Sequence, residues 1–250
     1  MHQLSASETA TVALSCESSP PAYVAVVDGK GDLWIGSQQA ILHEWTPAEQ
    51  ADSCMAGPAF GGVDSFATIN SMAFDAQGNL WVANFNDVAG FPSASLAPGG
   101  GGIQPKWGVS WNDGCDSPYF CDVDGLAFDS AGNLWAKVET TDTSVSASLV
   151  FEFSKTQLEN LPEDPAPRPL STLSADGDWD GGHVYLGAIA FDAEGNLWAG
   201  AENGAGSFLY RFPAATLVEG GAPDLQVSVP GRSYLSLAFS PIPPGLPIYP

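Results

Sequence analysis

The feature that most constrains this chain is a nine-residue phrase, Ala-Phe-Asp-x-x-Gly-Asn-Leu-Trp, which it carries three times almost verbatim. The copies run over Ala73–Trp81, Ala127–Trp135 and Ala190–Trp198. A looser copy, Val27-Asp28-Gly29-Lys30-Gly31-Asp32-Leu33-Trp34, precedes them, and a decayed one begins at Leu237-Ala238-Phe239-Ser240. An internal period of this kind argues for one array of stacked units rather than separate domains. Each copy is preceded by an apolar run: Tyr23–Val27, Ile69–Phe74, Val123–Phe128, Ala188–Phe191 and Tyr234–Phe239. Asp75, Asp129 and Asp192 stand where a turn uses a side-chain acceptor. Gly78, Gly132 and Gly195 stand where the chain needs positive φ. Asp-x-x-Gly is therefore a hairpin turn, and Leu-Trp opens a second strand that ends at a small residue such as Gly36, Ala83, Ala136 or Ala199.

Two further elements recur. After a variable loop come Phe91–Leu96, Phe153–Leu158 and Phe212–Leu217, with His43–Pro47 as the first version. Each is read as a strand ending in an aromatic, then a short turn-like segment to Leu. A fourth run follows at Ile103–Ser110, Arg168–Leu173, Leu225–Val229 and Phe60–Val63. Each unit is thus a four-stranded antiparallel meander. The phrase tryptophans Trp34, Trp81, Trp135 and Trp198 lie 47, 54 and 63 residues apart, which suits propeller blades with loops of varying length. The predicted fold is an all-β propeller of five blades over residues 9–250, with residues 1–8 read as disordered. The last blade is expected to close by pairing Thr9–Leu14 with the C-terminal strands, which would remove two open sheet edges.

Composition narrows the function. Seven Lys and Arg against 29 Asp and Glu give a formal charge of −22 over 250 residues. That balance excludes a duplex-binding role, because there are no cation clusters to neutralise phosphates. It equally disfavours anionic membranes, and no apolar run approaches the roughly 20 residues that span a bilayer. The compatible partners are a small molecule, a sugar or a protein surface, bound by what is expected to be a monomer. Met1-His2-Gln3-Leu4 lacks the features of a signal peptide. That start leaves a cytoplasmic protein or a mature exported form with an added Met. Four cysteines favour export: Cys115 and Cys121 bracket a short loop, Cys16 and Cys54 remain as a second pair, and no Cys-x-x-Cys suggests zinc. The expected location is extracellular or periplasmic.

Phe-Asp-x-x-Gly-Asn-Leu-Trp-Val-Ala, at Phe74–Ala83, resembles the repeat of the NHL, virginiamycin B lyase and gluconolactonase (senescence marker protein) superfamily of propellers. The resemblance covers nearly the whole chain from Tyr23 on, and five blades would depart from the six or seven usual there. It implies a fold directly and an activity only through particular residues.

The loops entering each blade, and those joining its second and third strands, share one rim. Asp64, Asp87, Asp113, Asp116, Asp122, Glu139, Asp176, Asp178, Asp180 and Glu202 gather there. Counting four residues back from each phrase Phe places Asn70, Asp124 and Gly187 at equivalent points of the channel mouth, with Tyr23 and Leu235 matching. Asp124-Gly125-Leu126-Ala127-Phe128-Asp129 resembles the segment whose first Asp binds a divalent metal in gluconolactonase-type enzymes, and Asn70 sits where they have a metal-binding Asn. Ca²⁺ or another divalent cation is the cofactor this implies. The family's Glu ligand in a Gly-Glu-Gly-Pro-x-Trp setting has no counterpart; Glu17 lacks that context. The other reading is that Asn70 and Asp124 bond backbone or water in a polar channel.

Asp176-Gly177-Asp178-Trp179-Asp180-Gly181 matches the opening of a calcium loop, but the twelfth position is Gly187 rather than Glu. It is either a cation loop or an ordinary solvated acidic loop. His183 behind it is the candidate acid/base, although the paired histidines of lyase-like chemistry are lacking. Trp111 and Trp179, with Asp113, Glu202 and His183, are the candidate ligand contacts, because aromatics beside carboxylates suit sugars or cations. No Gly-x-Ser-x-Gly, phosphate loop or nucleophile–base pair occurs. The leading expectation is a binding or interaction module working through the acidic face. A metal-dependent lactonase-like hydrolase is the alternative, and a structural surface protein the third reading.

Overall fold

The computed structural model describes residues 22–37, 41–48, 59–60, 68–85, 87–96, 105–110, 121–142, 145–161, 171–174, 185–203, 206–217, 221–229 and 237. They form four antiparallel sheets of four strands, each a meander in chain order. Blade 1 holds β1 (Ala22–Val27), β2 (Leu33–Ser37), β3 (Leu42–Trp45) and β4 (Ala59–Phe60). Blade 2 holds β5 (Ser71–Phe74), β6 (Leu80–Asn84), β7 (Asp87–Phe91) and β8 (Trp107–Ser110). Blade 3 holds β9 (Cys121–Phe128), β10 (Leu134–Asp142), β11 (Val145–Phe153) and β12 (Ser171–Ser174). Blade 4 holds β13 (Tyr185–Phe191), β14 (Leu197–Asn203), β15 (Gly206–Phe212) and β16 (Leu225–Val229). The first strands of successive blades lie against one another, β1 on β5, β5 on β9 and β9 on β13, as the inner strands of a propeller do. The fifth blade, its closure by Thr9–Leu14 and the expectation for residues 1–8 lie outside the described residues. No helix among the described residues is long and apolar enough to cross a membrane.

The repeated phrase forms the hairpin turn it predicts, and its Asp, Asn and Trp side chains each have a task. Asp75 Oδ1 accepts from the backbone N–H of Gln77 and Asn79, each at 2.9 Å. Its Oδ2 accepts from Asn79 Nδ2 at 2.8 Å and Trp81 Nε1 at 3.0 Å. Asn79 Oδ1 then accepts from Ser93 N–H, tying the turn to the segment after β7. Asp129 with Asn133, Trp135 and Lys155 repeats the set. So does Asp192 with Asn196, Trp198 and Ala214. Burial works against ionisation of Asp192, but hydrogen bonds from Trp198, Asn196 and the backbone prevail and hold its pKa below the usual carboxylate value. Gly78, Gly132 and Gly195 have φ of 78°, 87° and 80°, the left-handed conformation this turn imposes.

The held tryptophan does the packing between blades. Trp34, Trp81 and Trp135 each meet the phrase Phe of the next blade edge-on or close to it: Phe74 at 5.8 Å, Phe128 at 6.1 Å and Phe191 at 5.8 Å between ring centroids. Hydrogen bonds cross the seams as well, with Leu126 N–H donating to Ser71 Oγ and Leu186 N–H to Ser148 Oγ. Trp107, outside the phrase, stacks on Trp81 at 5.8 Å and 10°. Gly90 leaves room for that stack, since a Cβ there would come within 2.9 Å of Trp107 and 3.1 Å of Trp81.

One expectation is corrected. The segments after the second strand, read as the rim loops Asn84–Gly90, Lys137–Ala147 and Gly200–Gly206, are largely strand. Pairing continues to Asn84↔Asp87, Asp142↔Val145 and Asn203↔Gly206, so only two residues separate the paired strands in each case. Glu139 and Glu202 consequently sit on strands β10 and β14. The polar residues there lack the alternation of a half-buried strand, yet the backbone ladder runs through them.

Replacing Asp129 by Ala removes the acceptor for the buried Trp135 indole N–H and for the turn. We expect a loss of about 2–4 kcal/mol in urea unfolding followed by tryptophan fluorescence. A loss indistinguishable from that of an exposed Asp→Ala control would show that the turn does not depend on this carboxylate.

Candidate functional site

The position four residues before each phrase Phe is a structural irregularity, not only a count. In β1, β9 and β13 the pairing with the second strand slips by one residue there, around Tyr23, Asp124 and Gly187 to Ala188. Such a bulge re-aims a side chain and is frequent beside binding sites. In blade 2 the equivalent Asn70 lies just ahead of β5, where its N–H still donates to Ala83 C=O.

These residues gather at one end of inner strands β5 and β9. Asn70 Nδ2 donates to Asp122 Oδ1 at 2.5 Å, and Asn70 Oδ1 accepts from Thr68 Oγ1 at 2.6 Å. Asp124 Oδ2 accepts from the Lys137 ammonium at 2.7 Å, and Glu139 Oε2 lies 3.4 Å from the same nitrogen. Lys137 is 0% exposed along its whole side chain, whereas Asp124 and Glu139 are about one-third open. Burial pushes Asp124 up to about 6, with the Lys137 ammonium pulling the other way and Glu139 and Asp122 adding to the rise. Burial also raises Asp122, again opposed by Lys137 and reinforced by Glu139. Asp124 Oδ1 is shielded from solvent without a hydrogen-bond partner.

Phe85, at the β6–β7 turn, belongs to the same place. Its carbonyl accepts from Val123 N–H, the residue between Asp122 and Asp124, and its side chain is 45% exposed. Phe85 and Lys137 were not legible as site residues. Phe85 lay in a segment read as loop. Lys137 could have been found by one signal: it stands two residues after the phrase Trp, where the other blades carry Gly36, Ala83 and Gly200.

The resemblance to gluconolactonase-type propellers raises a metal on Asn70 and Asp124. Asn70 meets Asp122, two residues from Asp124 on β9, but the partners of the two residues do not fit a divalent ion. Asn70 is engaged on both sides, by Thr68 and Asp122, and Asp124 faces an ammonium at 2.7 Å where the ion's charge would be. Glu202 is placed apart from them on blade 4, exposed on β14 opposite Tyr185 and Ser207. Trp111, Asp113, Asp176, Asp178, Trp179, Asp180 and His183 lie outside the described residues, as do Cys16, Cys54 and Cys115. Cys121 begins β9.

A second acidic group sits at the opposite, turn end of blade 1. Asp28, Asp32 and Glu44 bring carboxylate oxygens within 4.8 Å of one another. Glu44 pairs across from Trp34 as Glu152 does from Trp135. In blade 3 the amide of Asn133 donates to both Asp129 and Glu152, linking them. Blade 1 has Asp32 at that position, which is 7% exposed and offers a carboxylate in place of the amide. Burial, then the charges of Asp32 and Asp28, push Glu44 up to about 7 despite Lys30 nearby. An acid raised in the folded state contributes stability that is complete below about pH 4.5 and is lost as pH rises through about 7. Asp32→Asn restores the amide. We expect it to flatten this pH dependence and to raise the melting temperature at pH 8 by about 2–4 °C, while changing it little at pH 5. Parallel pH profiles for the two proteins would refute this account of Glu44.

The family model described as "Two component regulator propeller" matches residues 65–86, the β5–β6 hairpin and its approach. No curated protein matches the chain. Among solved structures, the WD40 domain of Toxoplasma gondii coronin is 11% identical with a TM-score of 0.50, covering 84% of this chain and 48% of that one. The extracellular domain of a B. thetaiotaomicron protein described as a hybrid two component system is 16% identical with a TM-score of 0.46, covering 78% of this chain and 22% of that one. A gluconolactonase from Xanthomonas campestris is 15% identical with a TM-score of 0.44, covering 80% of this chain and 61% of that one. The chain therefore spans less than two thirds of each of these structures. At such identities the likeness is one of fold, and the four meanders with adjacent inner strands are that fold, a β-propeller.

Proposed function

We propose that this β-propeller is an extracellular or periplasmic binding module, and that it takes a sugar, a small cationic molecule or a basic segment of a protein at the mouth formed by β5, β9 and β10. The observation that carries this reading is the composition of that mouth. Asp124 and Glu139 hold one buried ammonium, the Asn70 amide donates to Asp122 on the same strand as Asp124, and the half-exposed Phe85 is tied to Val123, between the two aspartates, through its carbonyl. Ligand sites combine a few fixed polar groups with an apolar or aromatic face. Carboxylates and an amide can divide the donor and acceptor needs of sugar hydroxyls, or meet an amine, while a ring offers stacking or a cation–π contact. The excess of negative charge over Lys137 draws cationic partners and repels anionic ones. Chain-wide charge of −22 adds to that field.

The alternative, a divalent-metal-dependent hydrolase of the lactonase kind, requires Asp124 to be free of Lys137. The hydrogen bond between them favours the binding module.

A thermal-shift panel of neutral sugars, sugar acids, polyamines and basic peptides tests the reading, since a ligand of the folded state raises the melting temperature by mass action. We expect a neutral sugar or a cationic compound to give a saturable rise. Phe85→Ala and Asp122→Asn should each weaken that ligand about tenfold, the size of one lost ring or charged contact. A hit whose affinity is unchanged in both variants would move the site elsewhere. Saturable binding of sugar acids alone would contradict the charge argument.

A further inference from the structure

We infer that Lys137 is a tethered cation. Its ammonium occupies the seat that the mouth carboxylates would otherwise offer to a divalent metal, and removing this one side chain opens a metal site on Asp124 and Glu139. The inference rests on residues of the chain alone and stands whatever ligand the mouth binds.

Position is the first argument. The site two residues after the phrase Trp faces the adjoining blade, and space there is short. A Cβ on Gly36, the blade 1 equivalent, would come within 2.7 Å of Ile69. Blades 1, 2 and 4 accordingly have Gly36, Ala83 and Gly200. Blade 3 instead places a lysine there, and the neighbouring position on β9 is small to match. A Cβ on Gly125 would lie 3.0 Å from Lys137 Cβ, 3.4 Å from Ile189 and 3.5 Å from the Gly187 carbonyl. The lysine stem thus passes through a gap kept open on β9 and bounded by β13.

The second argument is charge. A buried ammonium is tolerated only with anions and hydrogen-bond acceptors around it. Lys137 has Asp124 at 2.7 Å and Glu139 at 3.4 Å. Two carboxylates on one centre are a start on the oxygen donor set that a hard divalent ion uses, which water can complete. Here the centre already holds one positive charge, covalently tied to β10, so it cannot dissociate or be chelated.

The third argument is what Lys137 leaves over. An ammonium has three protons, and Asp124 Oδ1 receives none of them; that oxygen is shielded from water and has no partner. A divalent ion accepts more ligands than an ammonium has protons. With the lysine removed, both oxygens of Asp124 and the carboxylate of Glu139 border the space vacated.

Isothermal titration with Mn²⁺ and Ca²⁺ tests this on the full chain, in an Asp32→Asn background that takes the blade 1 carboxylates out of the count. The background protein should show no saturable binding tighter than about 1 mM at the mouth. Lys137→Ala should gain one Mn²⁺ site at least about tenfold tighter than any in the background, as expected when ligand charge is freed. Adding Asp124→Asn should abolish it. Lys137→Met keeps the stem packed and should show the same gain if Lys137→Ala folds poorly. The inference is overturned if the background protein itself binds Mn²⁺ in a manner abolished by Asp124→Asn. It is equally overturned if Lys137→Met, folded by circular dichroism, gains no Asp124-dependent site.

Discussion

A single carboxylate in each blade does two jobs on which everything else relies. One oxygen of Asp75, Asp129 or Asp192 closes the turn onto two backbone N–H groups. The other fixes the indole of the tryptophan six residues on. The indoles of Trp34, Trp81 and Trp135, each held by its nitrogen, meet the phenylalanine of the adjoining blade at a similar distance and tilt. Turn geometry and blade-to-blade spacing therefore share one atom group. In blade 1 the corresponding Trp34–Asp28 hydrogen bond is the longest of the series, 3.3 Å, and this is also the blade in which the helping Asn has become Asp32.

Much of this was readable from residue order, because the turn phrase sets a register by counting. Four residues before Phe128 is Asp124 and four before Phe74 is Asn70; the first falls at the irregularity of β9 and the second just ahead of β5. What counting could not reach were the partners. Lys137 approaches Asp124 from the next strand across a bulge, and no spacing along the chain encodes that meeting. Ser71 and Ser148, which cross the seams, come from different strands of their blades and so share no repeat position. The β10–β11 hairpin was hidden for another reason. Lys137, Glu139, Thr140, Thr141 and Asp142 lack the apolar alternation of a half-buried strand, yet the ladder persists to its last pair.

The four blades share a scaffold, and what distinguishes them is charge placed at equivalent points. Opposite the phrase Trp stand Glu44, Gly90, Glu152 and Arg211 in turn. Each has a different solution around it: a crowded acid, a gap filled by Trp107, an amide bridge, and an arginine bound bidentately to Asp224. Two residues after the Trp, three small residues alternate with one lysine. The turn end of blade 1 and the mouth of blade 3 are thus the two places where the repeat departs from its own rule. Both departures gather carboxylates, one of them in contact with a buried ammonium.

The span of the hydrogen bonds sets an order of assembly. The Asp-to-indole bonds join residues six apart, and the turn bonds join residues two to four apart. The seam bonds Leu126–Ser71 and Leu186–Ser148 join residues 55 and 38 apart. Short loops close at little entropic cost and long ones at more. Each hairpin can form on its own, with its tryptophan already oriented, before it has a neighbour to pack against. The turn and its tryptophan are thus set locally, whereas a blade buries its faces only when the next one packs against it.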